Sequence, residues 1–227
     1  MRHIALFDLD GTLTDPKEGI TRSVQHALMA YGIKVEDPDE LCPFIGPPLS
    51  DSFQEFYGFS LHQAREAIHY FHEYFTERGM FENRVYKGIP GMLENIRKAG
   101  IVPVIATSKP EPFAEQILEH FDLRKYFDLV GGADMDETRV KKGEVISYTL
   151  KRLGADKSED RILMIGDRKH DIIGAHENGI PCAGVLYGYG SREEFDEAGA
   201  DVQVETVKEL EKYILDFMGN QEQSEKD

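Results

Sequence analysis

The chain has 227 residues, 41% of them apolar, and a formal net charge of −16. That length buries a core large enough for one catalytic domain with a smaller appendage, and the composition excludes a fibrous or disordered chain. The acidity, with no basic stripe to offset it, excludes a nucleic-acid polymer as partner and admits a small anion only where a metal and a lysine reverse the local potential.

Residues 3–7 (HIALF) are an apolar run closed by Asp8 and the Gly11 turn. They predict a buried strand that delivers polar residues to its carboxyl end. Residues 15–85 read as helices: Asp15 is expected as an N-cap, Pro16 as the first helical residue, and Ile20, Val24, Ala27, Leu28 and Tyr31 recur at helical spacing. Phe44-Ile45-Gly46-Pro47-Pro48-Leu49 is a stiff turn, either a plain connector or a loop reaching over a pocket. Ser60 with Gln63 forms a capping-box pattern before a long helix through Ala64, Ala67, Ile68, Phe71 and Phe75.

After Gly88 strands are expected at 102–106, 128–130, 162–165, 182–186 and 202–204, separated by helical stretches. Such alternation predicts parallel pairing by right-handed crossovers. The expected fold is therefore α/β, a Rossmann-like parallel sheet with helices on both faces and an inserted α-helical cap domain. The core would comprise 1–14 and 86–218, the cap 15–85, and the polar segment 219–227 a disordered tail. Ligands on such sheets bind beyond the carboxyl ends of the strands. No apolar run approaches the roughly 18 residues that span a bilayer, and residues 1–7 lack a signal-peptide core, so a cytoplasmic protein without membrane attachment is expected, as monomer or homodimer.

Asp8-Leu9-Asp10-Gly11-Thr12-Leu13-Thr14-Asp15 carries the chemistry. Residues i and i+2 of a strand point to the same side, so Asp8 and Asp10 address one bound group together. Their mutual repulsion, and their repulsion of a phosphate, calls for a divalent cation. Attack by Asp8 on phosphorus would give a readily hydrolysed acyl phosphate, with Asp10 as general acid and then general base. Gly11 lets the chain turn away with backbone N–H groups near the phosphate. A lone Asp-x-Asp would equally suit a turn or a calcium loop; the preceding strand and following Gly-Thr favour the catalytic reading.

This segment resembles the first motif, DxDGTxxD, of the haloacid dehalogenase-like superfamily, and three further motifs follow in order. The resemblance implies that the Thr107 hydroxyl and Ser108 N–H, in Thr107-Ser108-Lys109-Pro110, hold the transferring phosphoryl group. The local alternative is a helix cap, with Pro110 opening the next helix. It implies a lysine at a helix start that neutralises Asp8 and phosphate, Lys142 by register, with Lys141 as its solvated neighbour. In Gly166-Asp167-Arg168-Lys169-His170-Asp171 it places Asp167 on Mg²⁺ with Asp8 and the Asp10 backbone carbonyl, and Asp171 in the outer shell. Asp171 could instead be an ordinary first-turn carboxylate. Arg168 and Lys169 replace the small residues often found inside this motif.

The resemblance further implies that the helical insert is a mobile cap selecting the substrate; where the 44–49 turn reaches over the pocket, Ile45 and Gly46 are the expected specificity residues. The whole is similar to the phosphoglycolate phosphatase group, acting on a small phosphorylated metabolite. Phe44 to Pro48 together with Ser108-Lys109-Pro110 is also similar to bacterial members described as 5′-nucleotidases. Three rivals remain: a β-phosphoglucomutase-like phosphomutase, which shares all four motifs, a dehalogenase, which has no need of Asp10, and a binding module, which would have lost a motif.

Other features read more plainly. The glycine-rich 184–190 (GVLYGYG) is not a dinucleotide fingerprint and is expected only to border the site. His69 and His72 share a helix face without the carboxylate pattern of a metal site. Phe53, Phe56, Tyr57, Tyr70, Phe71, Tyr74 and Phe75 are expected mainly in the cap core, and Cys42 and Cys182 as two buried thiols.

Overall fold

Every side chain from Ile4 to Phe7 is buried, the burial of a strand covered on both faces. This strand, β1 (His3–Phe7), is followed by β2 (Thr14–Asp15), α1 (Lys17–Met29), α2 (Leu49–Tyr57), α3 (Leu61–Tyr74) and β3 (Arg84–Val85). The chain then alternates through α4 (Ile89–Lys98), β4 (Ile101–Pro110), α5 (Glu111–His120), β5 (Leu129–Ala133), α6 (Lys142–Leu153) and β6 (Arg161–Gly166). It closes with α7 (Lys169–Glu177), β7 (Cys182–Val185), α8 (Arg192–Ala198), β8 (Val202–Val204) and α9 (Val207–Gly219). The structure, a computed structural model, describes residues 1–135 and 138–219, so the expected tail lies outside the described residues beyond Gly219. Among the described residues, no helix is long and apolar enough to cross a membrane.

Two compact units are present, Met1–Leu13 with Val85–Asp227, and Thr14–Arg84. In the first, six strands pair in the order β5-β4-β1-β6-β7-β8, each pairing parallel. The expected α/β architecture is the observed one. The chain winds outward from β1 through β4 to β5 on one side, and from β6 to β8 on the other. That reversal beside β1 opens a crevice at its carboxyl end.

Pleating sends alternate residues to opposite faces. Ile4, Leu6, Val104, Ala106, Ile162 and Met164 join Val145, Ile146, Leu150, Ile172 and Ala175 of α6 and α7 in one buried cluster. The intervening Ala5, Phe7, Ile105, Leu163 and Ile165 are equally buried, and Phe7 meets Phe127 edge to face at 6.2 Å. Arg2 pins the start of β1: its guanidinium reaches Asp160 at 2.6 Å and the Leu153 carbonyl at 3.1 Å.

The strand expected at 128–130 is observed at Leu129–Ala133, continuing through Gly131 and Gly132. A Cβ at Gly131 would lie 1.9 Å from Thr149 Oγ1, so close helix packing requires the glycine. The strand expected at 102–106 extends to Pro110 through a register shift after Ala106.

In the helical unit, α1 and α3 bury Val24, Ala27 and Leu28, and Ala64, Ala67, Ile68 and Phe71. The Ser60–Gln63 capping box is present, with the Ser60 N–H donating to Gln63 Oε1 at 2.9 Å and the Gln63 N–H to Ser60 Oγ at 3.3 Å. Asp15 is not the N-cap of α1: Pro16 occupies that position, and the Asp15 carboxylate instead takes Arg84 at 2.5 Å and the Lys17 N–H at 3.2 Å. Phe53, Phe71 and Phe75 are core, whereas Phe56 is exposed and Tyr57, Tyr70 and Tyr74 are half-buried. Ile45 is buried and Gly46 has φ +104°. His69 is exposed and pairs with Glu73 at 3.5 Å. Cys182 is buried, but Cys42 is only half-buried, on a 3-10 turn (Pro38–Phe44) that buries Leu41 and Phe44 instead.

Candidate active site

β1 ends at Phe7, yet the Asp8 N–H still donates to the Ile165 carbonyl of β6 at 2.9 Å, so Asp8 leaves the sheet at its carboxyl edge. The chain then turns, the Leu13 N–H donating to the Leu9 carbonyl at 2.9 Å and Gly11 holding φ +81°. Asp167 directly follows β6, Thr107 lies near the end of β4, Lys142 opens α6 and Asp171 sits in the first turn of α7. Parallel pairing brings these ends together, because every strand presents the same edge.

Lys142 is the hub. Its ammonium lies 2.7 Å from Asp8 Oδ1, 2.8 Å from Asp171 Oδ1 and 3.2 Å from the Ala106 carbonyl. Its position depends on close approach of α6 and α7, since a Cβ at Gly174 would lie 2.7 Å from the Gly143 nitrogen. Lys141 is exposed. Burial opposes the Lys142 charge, but Asp171 and Asp8 outweigh it and hold its pKa above the ordinary lysine value.

Asp8, Asp167 and Asp171 are all buried, with carboxylate oxygens within 4.8 Å of one another. Burial, followed by Asp171 and Asp8, pushes Asp167 well above the usual carboxylate range. Burial also raises Asp171, against the pull of Lys142. Asp10 is raised by burial too, opposed by Lys109. Fully ionised, the four carboxylates Asp8, Asp10, Asp167 and Asp171 would exceed the two ammonium groups of Lys142 and Lys109 by two negative charges. A divalent cation balances that excess, and an all-oxygen donor set fits a hard ion such as Mg²⁺.

Thr107 is buried and its Oγ1 accepts the Lys109 N–H at 3.2 Å, with Ser108 half-buried beside it. Gly11 makes room for a carboxylate: a Cβ there would lie 2.0 Å from Asp167 Oδ2. Arg168 and Lys169, the departures from the motif, both engage Glu194 of α8, through the guanidinium at 3.0 Å and the Lys169 N–H at 2.7 Å. Asp171 accepts the Arg168 N–H at 3.0 Å as well as facing Lys142, so it is more than an ordinary first-turn carboxylate.

Two features escaped sequence reasoning. Lys109, quoted only as part of a motif, forms a buried ion pair with Asp10 at 2.7 Å. The 184–190 loop does more than border the site. The Tyr189 N–H donates to Asp167 Oδ2 at 2.9 Å, and Tyr187 Oη donates to the Thr12 carbonyl at 3.0 Å. A Cβ at Gly188 would lie 2.3 Å from Asp167 Cβ and 2.4 Å from the Gly11 carbonyl. The sequence signal for this role is the glycine spacing of the loop.

Clustered carboxylates and a buried lysine at the strand ends of a parallel α/β core are an arrangement that suits an enzyme acting on phosphate esters. The chain belongs to the haloacid dehalogenase-like hydrolase family, whose pattern residues 5–185 match. It is 48% identical over 189 residues to the 5′-nucleotidase of Pseudomonas aeruginosa, covering 83% of this chain and 85% of that one. It is 36% identical over 209 residues to the tyrosine-protein kinase PtkA of Mycobacterium tuberculosis, covering 91% and 70%. Phosphoglycolate phosphatase of Vibrio parahaemolyticus is 26% identical over 212 residues, covering 90% and 92%. The crystal structure of a predicted phosphatase from Clostridium acetobutylicum matches with a TM-score of 0.92 at 47% identity, covering 95% of this chain and 99% of that one.

Proposed function

We propose that the enzyme is a cytoplasmic, Mg²⁺-dependent phosphatase that forms an aspartyl phosphate on Asp8 and prefers nucleoside 5′-monophosphates. The observation that carries the mechanism is the hold of Lys142 on Asp8 Oδ1. It neutralises a buried carboxylate and leaves Oδ2 to attack phosphorus. The P–O bond to the leaving group breaks, and Asp10 protonates the departing alkoxide. Water then attacks the phosphorus of the aspartyl phosphate, giving its proton to Asp10, and the bond to Asp8 breaks to restore the carboxylate. Thr107 and the Ser108 N–H steady the transferred group, and the Gly11 turn keeps backbone donors near it.

Asp8, Asp167 and the Asp10 backbone carbonyl would hold the metal, with Asp171 outside them orienting Lys142. The bound ion would supply positive charge against the phosphoryl oxygens. Residues 15–85 act as the cap in this reading, with Ile45 and Gly46 contributing to substrate choice.

The nucleotide preference is supported by 48% identity to a protein named 5′-nucleotidase, against 26% to one named phosphoglycolate phosphatase. Phosphoglycolate is the second reading, favoured by a match that spans 92% of that phosphatase. A phosphate-release screen over nucleoside monophosphates, phosphoglycolate and sugar phosphates decides between them. Turnover of p-nitrophenyl phosphate that persists in Asp8→Asn, or after complete chelation of divalent metal, would sink the mechanism. Ile45→Ala should reorder the natural substrates while leaving p-nitrophenyl phosphate turnover largely intact; equal effects on all would remove Ile45 from substrate choice.

A further inference from the structure

Lys109 and Asp10 form a buried ion pair outside the Asp8–Lys142–Asp171 hub. The two side chains are 7% and 11% exposed, and Nζ lies 2.7 Å from Asp10 Oδ2. The other oxygen, Asp10 Oδ1, is buried and without a hydrogen-bond partner among the described residues. A buried polar atom left unsatisfied is costly, so its persistence calls for a partner or a role.

We propose that Lys109 is the positioning residue for Asp10, fixing its carboxyl group through Oδ2 so that Oδ1 alone carries the proton to the leaving group and later takes one from water. The reading rests on the phosphatase mechanism above and adds a residue to it. The physical reason is the two-fold ambiguity of a carboxyl group. An aspartate free to rotate about its last bond offers either oxygen in many orientations, and proton transfer needs one lone pair aimed within hydrogen-bond reach. An ammonium bound to Oδ2 removes that freedom and remains bound when Oδ1 is protonated, because Oδ2 still accepts as a carbonyl oxygen.

Lys109 is itself anchored for this task. Its backbone N–H donates to Thr107 Oγ1 at 3.2 Å, and the register shift of β4 between Ala106 and Pro110 turns this stretch out of regular pairing. The same segment that presents Thr107 thereby delivers the Lys109 ammonium to Asp10.

The test compares kcat/KM, which reports the first chemical step, for an alkyl phosphate that needs its leaving group protonated and for p-nitrophenyl phosphate, whose phenolate leaves without help. Lys109→Met should lower kcat/KM on the alkyl ester by about 10- to 100-fold and on the aryl ester by less than about 3-fold. In an Asp10→Asn background it should cause no further loss, and Lys109→Arg, which can still donate to Oδ2, should recover most of the alkyl activity. Equal losses on both esters, or an added loss in Asp10→Asn, would show that Lys109 serves the phosphoryl group or the fold and would overturn the proposal. A crystal structure of Lys109→Met gives a readout independent of turnover: Asp10 should swing or become disordered, and an unmoved Asp10 overturns the proposal. If Lys109→Met does not fold, Lys109→Gln replaces it in every arm. Should the wild type hydrolyse no phosphate ester, the phosphatase reading fails, while the crystal structure still judges the pairing.

Discussion

Asp8 and Lys142, 134 residues apart in the chain, meet at 2.7 Å at the carboxyl edge of the sheet. The contact joins the end of β1 to the start of α6, and Asp171 completes it from α7 at 2.8 Å. Removing the lysine would leave two buried carboxylates facing each other without a cation.

Lys142→Met should therefore reduce stability by about 3 to 5 kcal/mol, the usual cost of stranding a buried charge. Denaturant unfolding in chelator measures this directly. On the proposed mechanism turnover should fall by at least about 100-fold, since the charge that would face the phosphoryl group disappears. A variant as stable and active as the wild type would show that Lys142 is dispensable to both.

If Asp167 holds Mg²⁺ as proposed, Gly188→Ala should weaken Mg²⁺ binding by about 10- to 100-fold, the range found when outer-shell supports of a metal ligand are lost. The added methyl group would intrude on Asp167 Cβ at 2.3 Å and disturb the loop whose Tyr189 N–H holds Oδ2. Calorimetric titration with Mg²⁺ gives the affinity, and circular dichroism checks the fold. An unchanged affinity would mean that Asp167 is held by other means.

Asp160 is held below the ordinary carboxylate pKa, first by its hydrogen bond from Arg2. A carboxyl group whose folded pKa is depressed contributes stability that is complete above its unfolded pKa of about 4 and is lost as pH falls through the folded value. Asp160→Asn should thus lower the melting temperature near neutrality and flatten its decline below about pH 4 relative to wild type. Parallel melting curves at every pH would show that the Arg2 contact carries no net linkage.

Gly19→Ala tests the helical unit. A Cβ at Gly19 would lie 1.8 Å from the Gly79 carbonyl, so α1 must shift or the crossing must open. Overpacking of this kind costs about 1 to 3 kcal/mol. Hydrogen exchange should localise the loss to 14–84, leaving the amides of β1, β4 and β6 protected. Loss spread evenly over both units would mean that they unfold as one.

Asp8 and Asp10 were legible because a buried strand announces itself by an unbroken apolar run and its end by the first polar residue. Lys109 was not, since a lysine after Thr-Ser is solvated by default, and its burial depends on an irregularity in β4 that no periodicity reveals. Asp15 looked like a helix cap because the local alternative was satisfactory; Arg84, 69 residues later, takes its carboxylate instead. The 184–190 loop lacks a nucleotide fingerprint, and Gly188 instead accommodates the backbone of Gly11 and the side chain of Asp167.

The sequence by itself determined the alternation of strands and helices, and hence a parallel sheet whose carboxyl ends carry Asp8, Asp10, Thr107 and Asp167. These follow from local rules: side-chain period, turn residues and chain direction. The family resemblance implied the pairing of Lys142 with Asp8; only the tertiary structure decided that Lys109 grips Asp10 and that Tyr189 and Gly188 brace Asp167. Such pairings depend on register shifts and sub-ångström clearances between segments far apart in the chain, and local propensity carries no term for them.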